Sequence, residues 1–163
     1  MLNKSYQKII NSDPNLIPEV NDFIFEILNP LKIDNDLLAN LNLAISEGLS
    51  NAIVHGNKLD PKKNVVITLK CFEDKIEVSI KDNGNGFNPN EVPDPTNPEN
   101  LLKDSGRGIY IMKSFIEEVK YNFFDDGTEL MLVFKLRWFF IKILFTWLLI
   151  RLYLFYKYNY IFN

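Results

Sequence analysis

Apolar residues recur at helical spacing in two segments near the N-terminus. Residues 15–28 carry them three and four positions apart, and Asn29-Pro30 ends that segment. The second segment follows Asp34 or Asn35, either of which can cap a helix; its apolar face comprises Leu38, Leu41, Ile45, Leu49 and Ala52. The pattern predicts two amphipathic helices, with Gly56 ending the second in a left-handed conformation.

Two central segments, residues 65–72 and 75–82, are rich in Val, Ile, Thr and Leu, which predicts strands, and the second alternates apolar and polar residues. The pattern is weak in residues 1–11. Glu73-Asp74 and Asp125-Asp126-Gly127 are typical of hairpin turns. The predicted strands are residues 1–11, 65–72, 75–82, 121–124 and 128–136.

A polar row lies on the second predicted helix. Glu47, Asn51 and His55 are four positions apart, so neighbours in the row are offset by only about 40° around the axis. Such a row is often the solvent face of a helix, but no Lys or Arg occurs between Lys32 and Lys58, and small residues surround the row. A carboxylate and a carboxamide one turn apart could accept a proton and bind a hard cation such as magnesium.

Two glycine-rich segments follow the predicted central strands. The first, residues 82–86 (Asp-Asn-Gly-Asn-Gly), is either a hairpin turn or a loop, and the proline-rich residues 88–104 after it are typical of a lid or binding loop. The second, residues 105–108 (Ser-Gly-Arg-Gly), opens a predicted helix that runs through Val119. Exposed N–H groups at such a helix start can bind phosphate, and Arg107 could add a charged fork, although tight turns before helices also often contain glycine.

Length and composition favour one globular domain. The chain has 163 residues, 47% of them hydrophobic and 24% charged, with a net charge of −3 that gives no reason to expect a nucleic-acid partner. One Cys and one His exclude an internal disulfide framework and a zinc cluster. No long apolar run follows the first lysines, so we expect a cytoplasmic protein without a secretory signal.

The C-terminal segment differs in composition from the rest. Residues 1–136 are predicted to form the domain, and residues 137–163 an apolar tail rich in Phe, Leu, Ile and Tyr. Residues 138–156 have about the length that spans a bilayer, but Lys142 and Arg151 interrupt them. Three interpretations stay open: a membrane anchor, an interface helix, or a read-through extension of the domain.

Four motifs together resemble the GHKL ATP-binding superfamily, which includes gyrase and the histidine kinases. Residues 47–57 resemble its N box, residues 82–86 its first glycine box, residues 106–109 the second and residues 127–129 the third. Their order and spacing resemble most closely the anti-sigma factor serine/threonine kinases. The resemblance implies an α+β fold: a two-layer α/β sandwich of Bergerat type, with a mixed, mainly antiparallel sheet, helices on one face and an ATP lid.

The resemblance also implies how adenine is bound. Asp82 would accept a hydrogen bond from the adenine amino group, with Thr128 beside it. Gly84 and Gly86 would let the backbone pass close to the base.

The remaining motif residues are implied to act on the phosphates of ATP. Asn51 would bind Mg²⁺, and Gly106, Arg107 and Gly108 would contact the phosphate groups. Glu47 would be the general base that takes the proton from a serine or threonine hydroxyl.

The implied function is an ATP-dependent serine/threonine kinase that sequesters a sigma factor and phosphorylates an anti-anti-sigma protein of the STAS type. Association as a homodimer is a further expectation. The alternatives are a nucleotide-dependent binding module without phosphotransfer and a detached histidine-kinase catalytic domain.

Overall fold

One sheet of five antiparallel strands organises residues 3–86 and 116–136, which, with residues 147–151, are the residues that the computed structural model describes. In chain order the elements are β1 (Lys4–Asn11), α1 (Ile17–Leu28), α2 (Asn35–Ser50), a π-helical turn (Asn51–Gly56), β2 (Asn64–Cys71), β3 (Lys75–Lys81), β4 (Glu118–Phe124) and β5 (Gly127–Lys135). The spatial order is β1-β2-β3-β5-β4, and every neighbouring pair is antiparallel. The predicted α+β architecture is confirmed.

Both helices begin at sequence signals. Asp13 caps a short 3-10 turn (Pro14–Leu16) that leads into α1, and its carboxylate accepts a hydrogen bond from the Asn15 amide at 2.9 Å. Asp34 caps α2, because its carboxylate accepts from the amides of Asp36 and Leu37. These contacts satisfy backbone donors that have no partner within the helix.

The core lies between the helices and one face of the sheet. The largest fully buried side chains are Phe134, Ile24, Leu28, Leu41, Ile45, Leu49, Ile53, Ile67, Leu69, Ile76 and Ile80. Each such side chain contributes about 1.5–3 kcal/mol by leaving water. Among the described residues, only the continuous helix Asn35–Gly56 is long and apolar enough to cross a membrane, and its apolar face is part of this core.

The end of α2 differs from the prediction. The Asn51 amide donates to both the Glu47 and Gly48 carbonyls, and the helix continues as a π-helical turn as far as Gly56. The left-handed residues are Lys58 and Leu59, each with a φ of 57°, so the prediction of a left-handed Gly56 is wrong.

The predicted third helix is wrong at its C-terminal end. Val119 lies in β4 and pairs with Leu132 of β5, because pairing with a strand later in the chain outweighs the local helical spacing. Ile116 and Glu117 are not helical either, and residues 105–115, together with the proposed lid at residues 88–104, lie outside the described residues. The hairpin interpretation of residues 82–86 is also wrong, since the neighbours of β3 are β2 and β5. Of the tail, the structure describes residues 147–151, which are helical and exposed.

Candidate nucleotide-binding site

Asp82 is the buried carboxylate at the end of β3. The residue is only 7% exposed, and its backbone N–H donates to the Thr128 carbonyl at 2.9 Å. The Gly84 N–H donates to Asp82 Oδ1 at 2.7 Å. The backbone of Asp82 is therefore held by the start of β5, and its carboxylate by the loop that follows it.

Burial dominates the electrostatics of this carboxylate. Desolvation raises the pKa of Asp82, while the backbone amides of Gly84 and Thr128 and the charge of Lys63 act in the opposite direction. An acceptor that has lost most of its water forms a strong hydrogen bond with a ligand donor. The exocyclic amino group of a nucleobase is a donor of this kind.

Thr128 adds an unpaired polar atom beside Asp82. It is 4% exposed, and its Oγ1 is buried without a hydrogen-bond partner in the described part of the chain. A buried hydroxyl without a partner is costly, and native proteins usually satisfy such groups. Together with the Asp82 carboxylate, the hydroxyl fits a ligand that carries both donors and acceptors, as adenine does.

The glycines of the first glycine box are placed where the backbone approaches other segments closely. A Cβ on Gly84 would lie 2.3 Å from the Gly56 carbonyl oxygen, so no larger residue fits without a backbone shift. Gly86 has a φ of +76°, and a Cβ there would lie 2.9 Å from the Phe123 ring and 3.2 Å from Thr128 Oγ1. Gly86 therefore lies beside the Thr128 hydroxyl, and Gly84 lies against the end of the helix.

The polar row on α2 lies beside the line of contact between helix and sheet. Gly48 packs so closely that a Cβ would lie 2.8 Å from the side chains of Ile80 and Leu130, and Gly56 lies against Asp82. Glu47, Asn51 and His55 each precede a small residue of this contact by one position. The row thus runs towards the end of the helix that touches Asp82.

Glu47 and Asn51 are half-buried, whereas His55 is exposed. No group of three His, Cys, Asp or Glu residues able to hold a metal is found among the described residues. Magnesium in nucleotide sites is bound by one or two protein ligands together with phosphates and water, so an Asn51 oxygen at this place suits its chemistry. The predicted phosphate-binding residues Gly106, Arg107 and Gly108 lie outside the described residues.

Asn57 is the last residue of the motif that resembles the N box, but the sequence predicts no role for it. This residue is 1% exposed, its Oδ1 accepts from the Asn83 amide at 2.8 Å, and its Nδ2 donates to the Asn64 carbonyl at 3.0 Å. The motif indicates that Asn57 lies near the site, and the contacts that it makes depend on the fold.

The sequence is similar to that of a family of ATPase domains and to individual proteins of known role. The model of the histidine kinase-like ATPase domain family matches residues 10–134. An anti-sigma F factor of Clostridium perfringens is 35% identical over 104 residues, which cover 61% of this chain and 73% of that protein. The serine-protein kinase RsbW of Bacillus licheniformis is 31% identical over 98 residues, covering 56% of this chain and 61% of that one.

A solved structure shares the fold. The crystal structure of the RsbU and RsbW domains of a Mycobacterium tuberculosis protein superimposes with a TM-score of 0.61 at 19% identity, over 82% of this chain. This chain spans 32% of that longer one. Because the family model covers most of the chain, including the Glu47, Asn51, Asp82 and Thr128 positions, the chain belongs to the histidine kinase-like ATPase domain family.

Proposed function

We propose that this chain is an ATP-dependent serine/threonine protein kinase that acts as an anti-sigma factor. The observation that carries the proposal is the placement of the Glu47–Asn51 row on the helix whose end lies against the buried Asp82 carboxylate. This placement supports a single site that joins a base-binding carboxylate to a proton acceptor. The relatives named anti-sigma F factor and serine-protein kinase support the same function.

Adenine recognition is assigned to Asp82 and Thr128. The desolvated Asp82 carboxylate accepts a hydrogen bond from the amino group of the base, and the unpaired Thr128 hydroxyl pairs with a ring nitrogen or the same amino group. Gly86 leaves room beside the Thr128 hydroxyl, and Gly84 lets the backbone after Asp82 lie against Gly56. Nucleotide use is a property of the family, and the residues present fit it.

The phosphates are assigned to the other end of the site. Asn51 supplies a carboxamide oxygen to Mg²⁺, and Gly106, Arg107 and Gly108 contact the phosphate groups. ATP supplies the γ-phosphoryl group to be transferred. Glu47 takes the proton from the hydroxyl of the incoming serine or threonine, so that the oxygen can form the new bond to phosphorus as the bond to the leaving diphosphate breaks.

The names of the relatives support one of the two proposed partners. A sigma factor, as in the name anti-sigma F factor, is the protein that is held. The phosphate acceptor is the anti-anti-sigma protein that the resemblance of the motifs implies. Transfer to that acceptor switches the partnership, because a phosphoserine adds nearly two negative charges to a docking surface.

Glu47→Gln tests the proposal. The variant keeps the size and polarity of the side chain but cannot take up a proton, so ATP binding should persist while transfer of labelled γ-phosphate to an anti-anti-sigma protein falls at least a hundredfold. Glu26→Gln, at an exposed position of α1, is the matched control and should transfer phosphate as the wild type does. Nucleotide binding without any transfer by the wild type would instead favour the passive binding module.

The kinase domain is assigned to residues 1–136, and the protein to the cytoplasm. The Leu136 amide donates to the Asp74 carbonyl at 2.7 Å, which fastens the end of β5 to the β2–β3 hairpin. Membrane fractionation of the full chain and of a chain ending at Leu136 tests the tail. Recovery of only the full chain with membranes would show that residues 138–156 anchor it.

A further inference from the structure

We infer that Asn57 is a positioning residue of the nucleotide site, which holds the backbone after Asp82 and thereby orients the base-binding carboxylate. The inference rests on the proposed binding of ATP. Asn57 itself is outside the Asp82–Thr128 pair and has no proposed contact with the nucleotide.

The side chain of Asn57 joins three parts of the chain. It follows the π-helical turn at the end of α2, accepts from the Asn83 amide, and donates to the Asn64 carbonyl at the start of β2. Only 1% of Asn57 is exposed, and both hydrogen bonds are partly buried. Hydrogen bonds in such surroundings are stronger than exposed ones, and losing one partner leaves the other unsatisfied.

Asn83 is held on all its polar groups. Besides the bond from its N–H to Asn57, its carbonyl accepts from Lys63 Nζ at 3.0 Å. Its Oδ1 accepts from the Asn64 amide at 3.4 Å and its Nδ2 donates to the Asp126 carbonyl at 3.3 Å. Of these four hydrogen bonds, only the one that Asn57 accepts has its partner atom in a fully buried residue. Water can therefore replace this partner least easily.

The hydrogen bonds of Asn57 to Asn83 and Asn64 together form what we call the Asn57 clamp. It acts on the Asp82 carboxylate through the backbone. Asn83 lies between Asp82 and Gly84, and the Gly84 N–H is itself bonded to Asp82 Oδ1. Fixing the Asn83 backbone therefore fixes both the residue that carries the carboxylate and the donor that orients it. A wrongly oriented carboxylate weakens the binding of adenine, which has an amino group at that place, more than the binding of a base that lacks one. Losing the Asn57 hydrogen bonds should therefore reduce the selectivity for adenine.

The test compares Asn57→Ala with Asn64→Ala in the full chain. Asn57→Ala removes both side-chain bonds and should raise the Kd for ATP about tenfold and reduce the preference for ATP over GTP by a similar factor. Asn64→Ala keeps the carbonyl that Asn57 binds and should match the wild type in both. Unchanged ATP affinity and unchanged base preference in a folded Asn57→Ala variant would overturn the inference.

Two further outcomes distinguish a failure of the inference from a failure of the proposed function or of folding. If the wild type binds no ATP, the proposed function itself fails and the inference with it. If Asn57→Ala does not fold, hydrogen exchange in the wild type replaces it: a strongly protected Asn83 amide supports the clamp, and exchange at the rate of an open loop overturns it.

Discussion

The Asp82 carboxyl group lies against Gly56, close enough that a Cβ on Gly56 would be 2.5 Å from the carboxyl carbon. The carboxylate cannot simply turn away, because it also accepts from the Gly84 amide at 2.7 Å. The end of the helix that carries Asn51 therefore limits the position of the carboxylate that we propose to bind the base. This contact links the proposed phosphate end of the site to its proposed adenine end.

Gly56→Ala should weaken nucleotide binding more than it weakens the fold. The added methyl displaces the Asp82 carboxylate or pushes the helix end away from β3, so we expect the affinity for ATP to fall at least tenfold, which is about 1.4 kcal/mol. Calorimetric titration with ATP measures this loss.

Gly48→Ala is the matched control, because its added methyl would meet only the ends of the Ile80 and Leu130 side chains. It should lower the free energy of unfolding by about 1–3 kcal/mol through overpacking and leave the ATP affinity of the folded protein near the wild-type value. Equal affinities for ATP in the two variants would disprove the special role of Gly56.

Asp82 should make the stability of the nucleotide-free protein depend on pH. Its pKa is raised by burial above the ordinary value of 3.8, so the folded state binds the proton more tightly than the unfolded state does. Its contribution to stability is complete below pH 3.8 and is lost as the pH rises through the raised pKa. The unfolding free energy of the wild type minus that of Asp82→Asn, measured by urea denaturation, should therefore decrease as the pH rises from 3.8 through the raised pKa of Asp82. A difference that increases with pH would contradict the assigned cause.

The regular elements could be predicted because their signals are local. The strand predicted at residues 65–72 from their content of Val, Ile, Thr and Leu matches β2 at Asn64–Cys71, and the cap at Asp34 marks the start of α2. The strand at Val119 could not be predicted, because it depends on pairing with Leu132 of β5. Local helical spacing and long-range pairing compete there, and the pairing prevails.

The candidate site shows the same limit. The motifs identified Asp82 and Thr128, but nothing in the sequence shows that a π-helical turn ends α2 or that Gly56 is needed for space. The role of Asn57 depends on Asn83, which is 26 positions away in the chain. Such contacts arise only when the helix end and the loop after β3 are brought together by the fold.

Asn51→Ala should remove the magnesium dependence of ATP binding. The carboxamide oxygen is the one protein ligand proposed for the ion, so the affinity for ATP with Mg²⁺ should fall to the affinity measured with EDTA. Asn40→Ala, on the same helix, is the control and should keep the difference between the two conditions. An unchanged magnesium dependence in Asn51→Ala would remove Asn51 from the site.

Gly127→Ala should disrupt the fold at the adenine end of the site. Gly127 has a φ of +153°, and a Cβ there would lie 1.8 Å from the backbone oxygen of Asp82, which cannot move without breaking the pairing of β3 with β5. We expect a loss of about 3 kcal/mol or more in unfolding free energy. Denaturant unfolding of Gly127→Ala, in parallel with Gly48→Ala, measures this loss of unfolding free energy. A loss no larger than that of Gly48→Ala would show that the turn can rearrange.

Thr128→Val should separate ligand binding from folding. Valine has nearly the shape of threonine but lacks the hydroxyl, whose oxygen is buried without a partner in the described residues. Removing an unsatisfied polar atom should leave stability unchanged or raise it by about 1 kcal/mol. ATP loses a hydrogen bond, so its Kd should rise about five- to tenfold. Thermal unfolding with and without ATP measures both effects in one experiment: the melting temperature of the free variant should be at or above that of the wild type, and the increase on adding ATP should be smaller. A free variant that melts well below the wild type would show that the hydroxyl is paired within the protein and not with the nucleotide.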